Sequence, residues 1–282
     1  MAFTVASYNV LATGYIRPRF YPQTPAALLA PAWRLPALAR HVATLDADVL
    51  CLQEVDAGIF AAVEAALAPR GYDGHYARKD SDKPDGCAAF LRRDSAELVD
   101  TSRLAFADGH GGEAASGHIA QVIRLAIDGR RLGIANTHLK WSRSDIPPHE
   151  QPPMRQVAEL LRLTAAERNC DGWILCGDFN MTPETAVIAA VRQAGFIAAH
   201  HGLAPGHTCN PNGRAKTIDY LFHSPDLHAT PAALPVIDDA TPLPSPEQPS
   251  DHLALLASFS WVAPTQLTLR QAQGEEKKVT SS

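Results

Sequence analysis

The sequence predicts an α/β fold of four layers, two mixed β-sheets packed face to face with helices on the outside. Three observations predict it. Strand-like and helix-like stretches are interleaved along most of the chain rather than segregated. Twice a helix leads through a short connection into an apolar strand ending in an acid, at Val49-Leu50-Cys51-Leu52-Gln53-Glu54 and at Trp173-Ile174-Leu175-Cys176-Gly177-Asp178. Hydrophobic residues are 46% of the 282 and charged residues 20%, which leaves ample apolar surface for a core.

The elements follow in order. Residues 3–9 alternate like a strand, 35–45 have helical spacing, and 48–53 form a short apolar run suited to a buried strand. Residues 57–67 are helical and stop at Pro69 and Gly71. Strands are expected at 86–91, 119–127 and 131–137, the last two joined by the turn pair Asp128-Gly129. A helix at 154–168 precedes a strand at 173–177. Pro183 suits a helical first turn and opens a helix ending near Gly195. Late strands are expected at 219–222 and 253–259. Residues 107–117 are glycine-rich and read as a mobile loop. The six prolines at 231, 235, 242, 244, 246 and 249 exclude a regular helix or central strand there. Residues 1–263 read as one domain and 264–282, polar and without aromatics, as a disordered tail.

Composition narrows the function. Lys and Arg number 25 against 30 Asp and Glu, a net charge of −5, which argues against a surface that coats nucleic acid but leaves room for a local basic cleft. No stretch approaches the roughly 18 apolar residues of a membrane span. No basic leader and apolar run open the sequence. Five cysteines, an odd number without tight spacing, point to a reduced cytoplasmic protein with buried thiols. The chain is expected to be a monomer with no membrane partner. There is no Walker loop, dinucleotide fingerprint, Gly-x-Ser-x-Gly elbow or Cys-x-x-Cys pair, and His149-Glu150 runs into Pro152 and Pro153, which excludes a helical zinc-protease motif.

What remains is a set of polar residues at the ends of apolar strands: Asn9, Glu54, His138, Asp178 with Asn180, Asp219, and Asp251 with His252. Each has an ordinary structural reading. A strand-end Asp is commonly a turn or cap, and Asp178-Phe179-Asn180 suits an Asx turn. Strand ends are also where α/β folds place reactive groups.

Together, and in this order, these segments resemble the signature of the endonuclease/exonuclease/phosphatase superfamily, the fold of deoxyribonuclease I and the apurinic endonucleases. The resemblance runs from about Phe3 to Phe259. Pro84-Asp85-Gly86-Cys87-Ala88-Ala89-Phe90, Asn136-Thr137-His138-Leu139-Lys140, Ile218-Asp219-Tyr220-Leu221-Phe222 and Pro249-Ser250-Asp251-His252-Leu253 are similar to the nocturnin and carbon-catabolite-repressor deadenylase branch. Phosphoester hydrolysis needs a hard cation, an in-line water and donors for charge on the phosphoryl oxygens.

The resemblance implies Mg²⁺, with Mn²⁺ as an alternative, held mainly by Glu54 with help from the Asn9 side-chain carbonyl and from Asp251, directly or through water. It implies that Asp178 positions or deprotonates the attacking water, that Asn180 orients that water and donates to the phosphate, and that His138 hydrogen-bonds the scissile phosphate. His252, when protonated, would do the same with Asp219 holding its ring. Whether Asp178 or His252 is the base stays open.

Lys79, Lys83 and Lys140 are expected near the mouth of the site, and Arg214 with Lys216 just before Asp219, to touch substrate phosphates. The chain departs from the deadenylases just before Asp219. Residues 212–217 carry no base-stacking aromatic, which leaves the Arg214 plane to stack instead. Trp141 is a candidate cleft wall. His200, His201, His207 and Cys209 match no common zinc spacing and read as a surface loop near the cleft. The expected function is a Mg²⁺-dependent phosphoesterase acting on a nucleotide or a nucleic-acid 3′ end. A phosphatase for a small nucleotide such as NADP(H) and a non-catalytic nucleotide-binding module are the alternatives.

Overall fold

A computed structural model describes residues 2–80, 82–143, 145–202 and 206–263. The tail expected at 264–282 lies outside the described residues. Twelve strands and five α-helices are present among them. In chain order they are β1 (Phe3–Asn9), α1 (Ala26–Leu29), α2 (Pro31–Thr44), β2 (Val49–Val55), α3 (Ala57–Leu67), β3 (Tyr72–Arg78), β4 (Gly86–Arg92), β5 (Glu97–Ala105), β6 (Ile119–Ile127) and β7 (Arg130–His138). They continue with α4 (Pro152–Ala166), β8 (Gly172–Asp178), α5 (Ala186–Gln193), β9 (Ile197–Ala198), β10 (Asp219–His223), β11 (Leu227–Pro231) and β12 (Leu255–Trp261).

The strands form two six-stranded mixed sheets, ordered β11-β12-β1-β2-β4-β3 and β5-β6-β7-β8-β10-β9. Both follow one plan. The central pair of each is parallel, β1 with β2 and β7 with β8, and the pairs around it are antiparallel. A parallel pair needs a crossover. Helices α1 and α2 supply it in the first sheet and α4 in the second, so the two helix-to-strand units read in the sequence are the two crossovers.

Three apolar layers hold the four tiers together. Val5, Val49 and Cys51 of the first sheet meet Ile134, Ile174, Cys176 and Leu221 of the second. Leu38, Val42, Ile59 and Val63 of α2 and α3 cover the outer face of the first sheet at Leu50 and Leu52. Val157, Leu160, Val187 and Val191 of α4 and α5 do the same for the second at Leu175 and Phe222. Each large side chain so buried stabilises the fold by about 1.5–3 kcal/mol. The four-layer expectation holds.

Differences are local. Helix α2 starts at Pro31 rather than 35, with Pro31 at the favoured first-turn position. Helix α5 starts at Ala186 rather than at Pro183, because Thr185 takes an extended backbone (ψ 153°) and stands outside the helix as its N-cap. Edge strands β3, β5, β9 and β11 were not expected. Strand β5 is exposed along nearly all of its length, so it lacks the in–out alternation that marks a half-buried strand. The loop at 107–117 is pinned rather than loose: buried Asp108 accepts from Ser116 and from Gln156 of α4.

One glycine sets the seam between β7 and β8. Gly177 has φ +133°, and a Cβ there would lie 1.8 Å from the Thr137 carbonyl oxygen. Gly177→Ala combines that backbone strain, about 1–3 kcal/mol, with a backbone overlap that only separation of the strands relieves. A large drop in melting temperature or loss of soluble protein is expected, read by thermal denaturation. A variant that melts with the wild type contradicts this account.

Candidate active site

The carboxyl ends of the two parallel pairs point to the same end of the sandwich, and the candidate residues collect there. Asn9 ends β1. Glu54 lies at a β-bulge, where the register between β2 and β4 shifts between Gln53 and Val55, and its φ is +58°. The bulge takes Glu54 out of the ladder and re-aims its side chain. Leu11 and Asn180 are also left-handed, at φ 55° and 54°. Such strain costs about 1–3 kcal/mol per residue and collects at functional sites. In the second sheet, His138 of β7 is paired with Asp178 of β8, and Asp178 with Asp219 of β10, so three neighbouring strand ends carry them side by side.

Asn9 is the junction. Its amide nitrogen donates to Glu54 Oε1 at 3.1 Å and to Asp178 Oδ2 at 2.9 Å, tying the two sheets' acids to one group. Its carbonyl oxygen accepts from Leu11 N at 3.0 Å. The carbonyl expected to help hold a metal is engaged here by Leu11 N, while the amide supplies the donor needed between two carboxylates. Asp178 Oδ1 accepts from Asn180 N at 2.8 Å, so the Asx turn exists and the other oxygen remains for the site. His252 Nδ1 lies 3.0 Å from both oxygens of Asp219, and its Nε2 lies 3.8 Å from Asp178 Oδ2 and 4.0 Å from Asp251 Oδ1. Asp251 Oδ2 accepts from Tyr21 at 3.0 Å, and Asp219 Oδ2 from Thr208 at 2.6 Å.

Burial makes these charges matter. Burial, then the charge of Asp251, raises Glu54 above the usual carboxylate range. Burial, then the charge of Asp219, pushes Asp178 up to about 7. Burial alone would lower His252, but Asp219, Asp251 and Asp178 outweigh it and push it up to about 10. His138 is held well below the usual imidazole value by burial, then by Lys79 and His118. It is therefore neutral. Asn180 Nδ2 sits 2.9 Å from its Nε2 and donates to it, which places the ring proton on Nδ1. That nitrogen is buried without a partner, 3.8 Å from Glu54 Oε1. An unpaired buried N–H is rare unless something else is meant to accept from it.

The donors suit a hard cation. Glu54 and Asp251 offer carboxylate oxygens, and the charge of Asp251 disfavours the ionisation of Glu54, a cost that a bound cation would offset. The predicted cations divide. Lys79 is not at the mouth: its ammonium is buried on Asp85 at 2.6 Å, and Tyr15 donates to the other Asp85 oxygen. An ammonium taken out of water needs such a partner, so Lys79 acts on the site through its field. Lys83 is exposed, 5.7 Å over the Tyr15 ring. Lys140 is half-buried, its backbone N–H on Gln156. Arg214 is exposed. Lys216 instead lines a cavity of about 370 Å³ that begins at Asn180 and is walled by Trp141, Arg143 and Met181. Cys209 is fully buried rather than on a surface loop.

Sequence reasoning missed Arg34. It is fully buried in α2, donating to Val10 O at 2.8 Å and Pro249 O at 3.5 Å, and so joins the segment after Asn9 to the one before Asp251. The signal was an arginine with the buried Ala37 and Leu38 three and four residues on, hence on the inward face. It also missed the floor, where Gln53 Nε2 donates to Asn136 Oδ1 at 2.8 Å across the two sheets, and His118, edge-on to His138 at 6.0 Å.

Residues 6–252 match the model of the Endonuclease/Exonuclease/phosphatase family. The chain belongs to this family. Within it, the chain is 28% identical to the Yarrowia lipolytica "CCR4-Not complex 3′-5′-exoribonuclease subunit Ccr4" over 92% of its own length and 48% of the relative's. The chain thus spans about half the length of the curated relatives it matches. Among solved structures, the human nocturnin catalytic domain with bound sulfate superposes with a TM-score of 0.71 at 26% identity, covering 93% of this chain and 94% of that one. ANGEL2, a 2′,3′-cyclic phosphatase in complex with adenosine-2′,3′-vanadate, superposes at 0.80 with 22% identity, covering 92% and 95%, and shares the fold. No helix among the described residues of this family member is long and apolar enough to cross a membrane.

Proposed function

We propose that the chain is a divalent-metal-dependent phosphoesterase that hydrolyses a phosphoester at a nucleotide or at a nucleic-acid 3′ end. The observation that carries this reading is the Asn9 amide holding Glu54 of one sheet and Asp178 of the other beside the Asp219–His252 pair. Glu54 and Asp251 would hold Mg²⁺ or Mn²⁺, which supplies Lewis-acid charge at the phosphoryl group. Asp178, with its carboxyl near neutral pH, takes the proton of the attacking water. Asn180 and the unpartnered His138 N–H donate to phosphoryl oxygens, and His252, held cationic by Asp219, stabilises the charge that develops.

The cavity beyond Asn180 has the size of a small-ligand pocket. Trp141, 60% exposed on its wall, offers a face for a base, a stack worth about 1–3 kcal/mol. Lys216 and Arg143 add positive charge there. These features, with an adenosine analogue bound by ANGEL2, support a nucleotide substrate over an inositol phosphate or a lipid. The same reading takes residues 1–263 as one catalytic domain, monomeric. It places the chain in a reducing cytoplasm, to which five unpaired thiols are suited.

Purified protein with Mg²⁺, assayed in parallel on a 3′-OH oligoribonucleotide, a 2′,3′-cyclic phosphate and NADP⁺, tests it. Turnover of at least one, abolished by EDTA and restored by Mg²⁺ or Mn²⁺, is expected. Activity that persists in excess EDTA, or binding of all three without turnover, overturns it.

A further inference from the structure

Cys209 has no part in the reading above, yet it lies against the Asp219–His252 pair. Among the described residues, Cys209, Asp219 and His252 form a group of buried ligand-bearing side chains whose ligand atoms all lie within 4.8 Å of one another. Backbone pairing holds them there. Cys209 and His252 are antiparallel bridge partners, flanked by Asn210 N on Asp251 O at 2.9 Å and Leu253 N on Thr208 O at 2.7 Å. That is the non-hydrogen-bonded kind of pair, where facing side chains approach most closely. A second bridge joins Cys209 to Lys216, and Thr208 fixes the Asp219 carboxylate at 2.6 Å.

The donors are sulfur, nitrogen and oxygen, unlike the oxygen set of Glu54 and Asp251. Hard ions such as Mg²⁺ avoid thiolates, whereas Zn²⁺ takes thiolate, imidazole and carboxylate together. The 3.0 Å between His252 Nδ1 and Asp219 is close to the ligand–ligand edge of about 3.3 Å that metal–ligand bonds near 2.0 Å set in a tetrahedral site. An ion can thus replace the proton those two groups share, while the Cys209 sulfur, within 4.8 Å of both, closes in to complete three ligands.

We propose that Cys209, Asp219 and His252 form an inhibitory Zn²⁺ site, distinct from the hard-cation site at Glu54 and Asp251. Binding displaces the Cys209 thiol proton and the His252 Nδ1 proton, and no electrons move. The ion takes Asp219 from the His252 ring and locks that ring to Cys209, so the ring no longer follows the phosphoryl group. The inhibition rests on the proposed function; the binding does not.

Co²⁺ titration of the metal-free full chain tests the binding. A near-ultraviolet thiolate-to-cobalt charge-transfer band is expected, displaced by one equivalent of Zn²⁺ and retained in excess Mg²⁺. Cys209→Ser and Cys209→Ala, checked for wild-type circular dichroism, should both lose the band. His252→Asn, which keeps the thiol, should weaken it. With Mg²⁺ present, Zn²⁺ should inhibit the wild type, and Cys209→Ser should keep its Mg²⁺-dependent activity while the half-inhibitory Zn²⁺ concentration rises at least roughly tenfold. Absence of the band, its survival in either Cys209 variant, or its removal by Mg²⁺ overturns the site. Should the wild type hydrolyse no phosphoester, the cobalt band alone decides the binding, and the function fails separately.

Discussion

Asp178→Asn is expected to lower kcat by about 10²–10⁴-fold, the range that a positioned general base supplies. The substitution keeps the shape. The new carbonyl still accepts from Asn180 N, which holds the turn after β8. What it removes is a carboxylate whose pKa is pushed up to about 7, because burial, then the charge of Asp219, opposes its ionisation. A group poised there can take a proton from water and give it up again. Stability should move little, because two opposed changes meet. The repulsion from Asp219 disappears, and the Asn9 amide loses one acceptor. Steady-state kinetics beside a thermal melt separates the roles. Wild-type turnover in the variant would remove Asp178 from the chemistry, and a collapsed melt would make it a structural residue.

The second large effect is at Glu54. Glu54→Gln preserves an oxygen for the Ala12 N–H, which the native carboxylate accepts at 2.9 Å, but withdraws a charge from the cation site. A bound cation supplies several kcal/mol of transition-state stabilisation. At about 1.4 kcal/mol per factor of ten, the rate should fall by on the order of 10³-fold. Calorimetric Mg²⁺ affinity should weaken in the same variant. That paired readout matters, because a bulge residue at φ +58° could also lower the rate by misplacing its neighbours. Unchanged Mg²⁺ affinity together with a slow rate would mean that Glu54 shapes the site without holding the ion.

Much of the architecture was legible from single stretches. Where a strand is buried on one or both faces, as at Val49–Val55 and Gly172–Asp178, local hydrophobicity reports the environment directly. Where an element has no buried face, as in β5, the same signal has nothing to report. The start of α5 was misplaced because Pro183 suits a first turn in isolation, while Thr185, two residues later, is extended and occupies the N-cap position. The site was legible as a list. Its members lie at strand ends, and each looked like an ordinary turn residue until their order along the chain was considered. Asp178 is in fact both, a turn acceptor through one oxygen and a site carboxylate through the other.

The hydrophobic pattern by itself determined the two helix-crossover units, the layers they build and the acids that end their strands. Period and burial are written in neighbouring residues, so they need no knowledge of the rest of the molecule. Only the tertiary structure decided which way polar groups face. It turned the Asn9 carbonyl to Leu11 and its amide to two carboxylates, sank Lys79 onto Asp85, drew Arg34 inward to join two segments, and set Cys209 against His252. The reason is electrostatic. A buried donor, acceptor or charge costs free energy until a partner is found, and that partner can come from a segment far along the chain, as Asp178 does for Asn9.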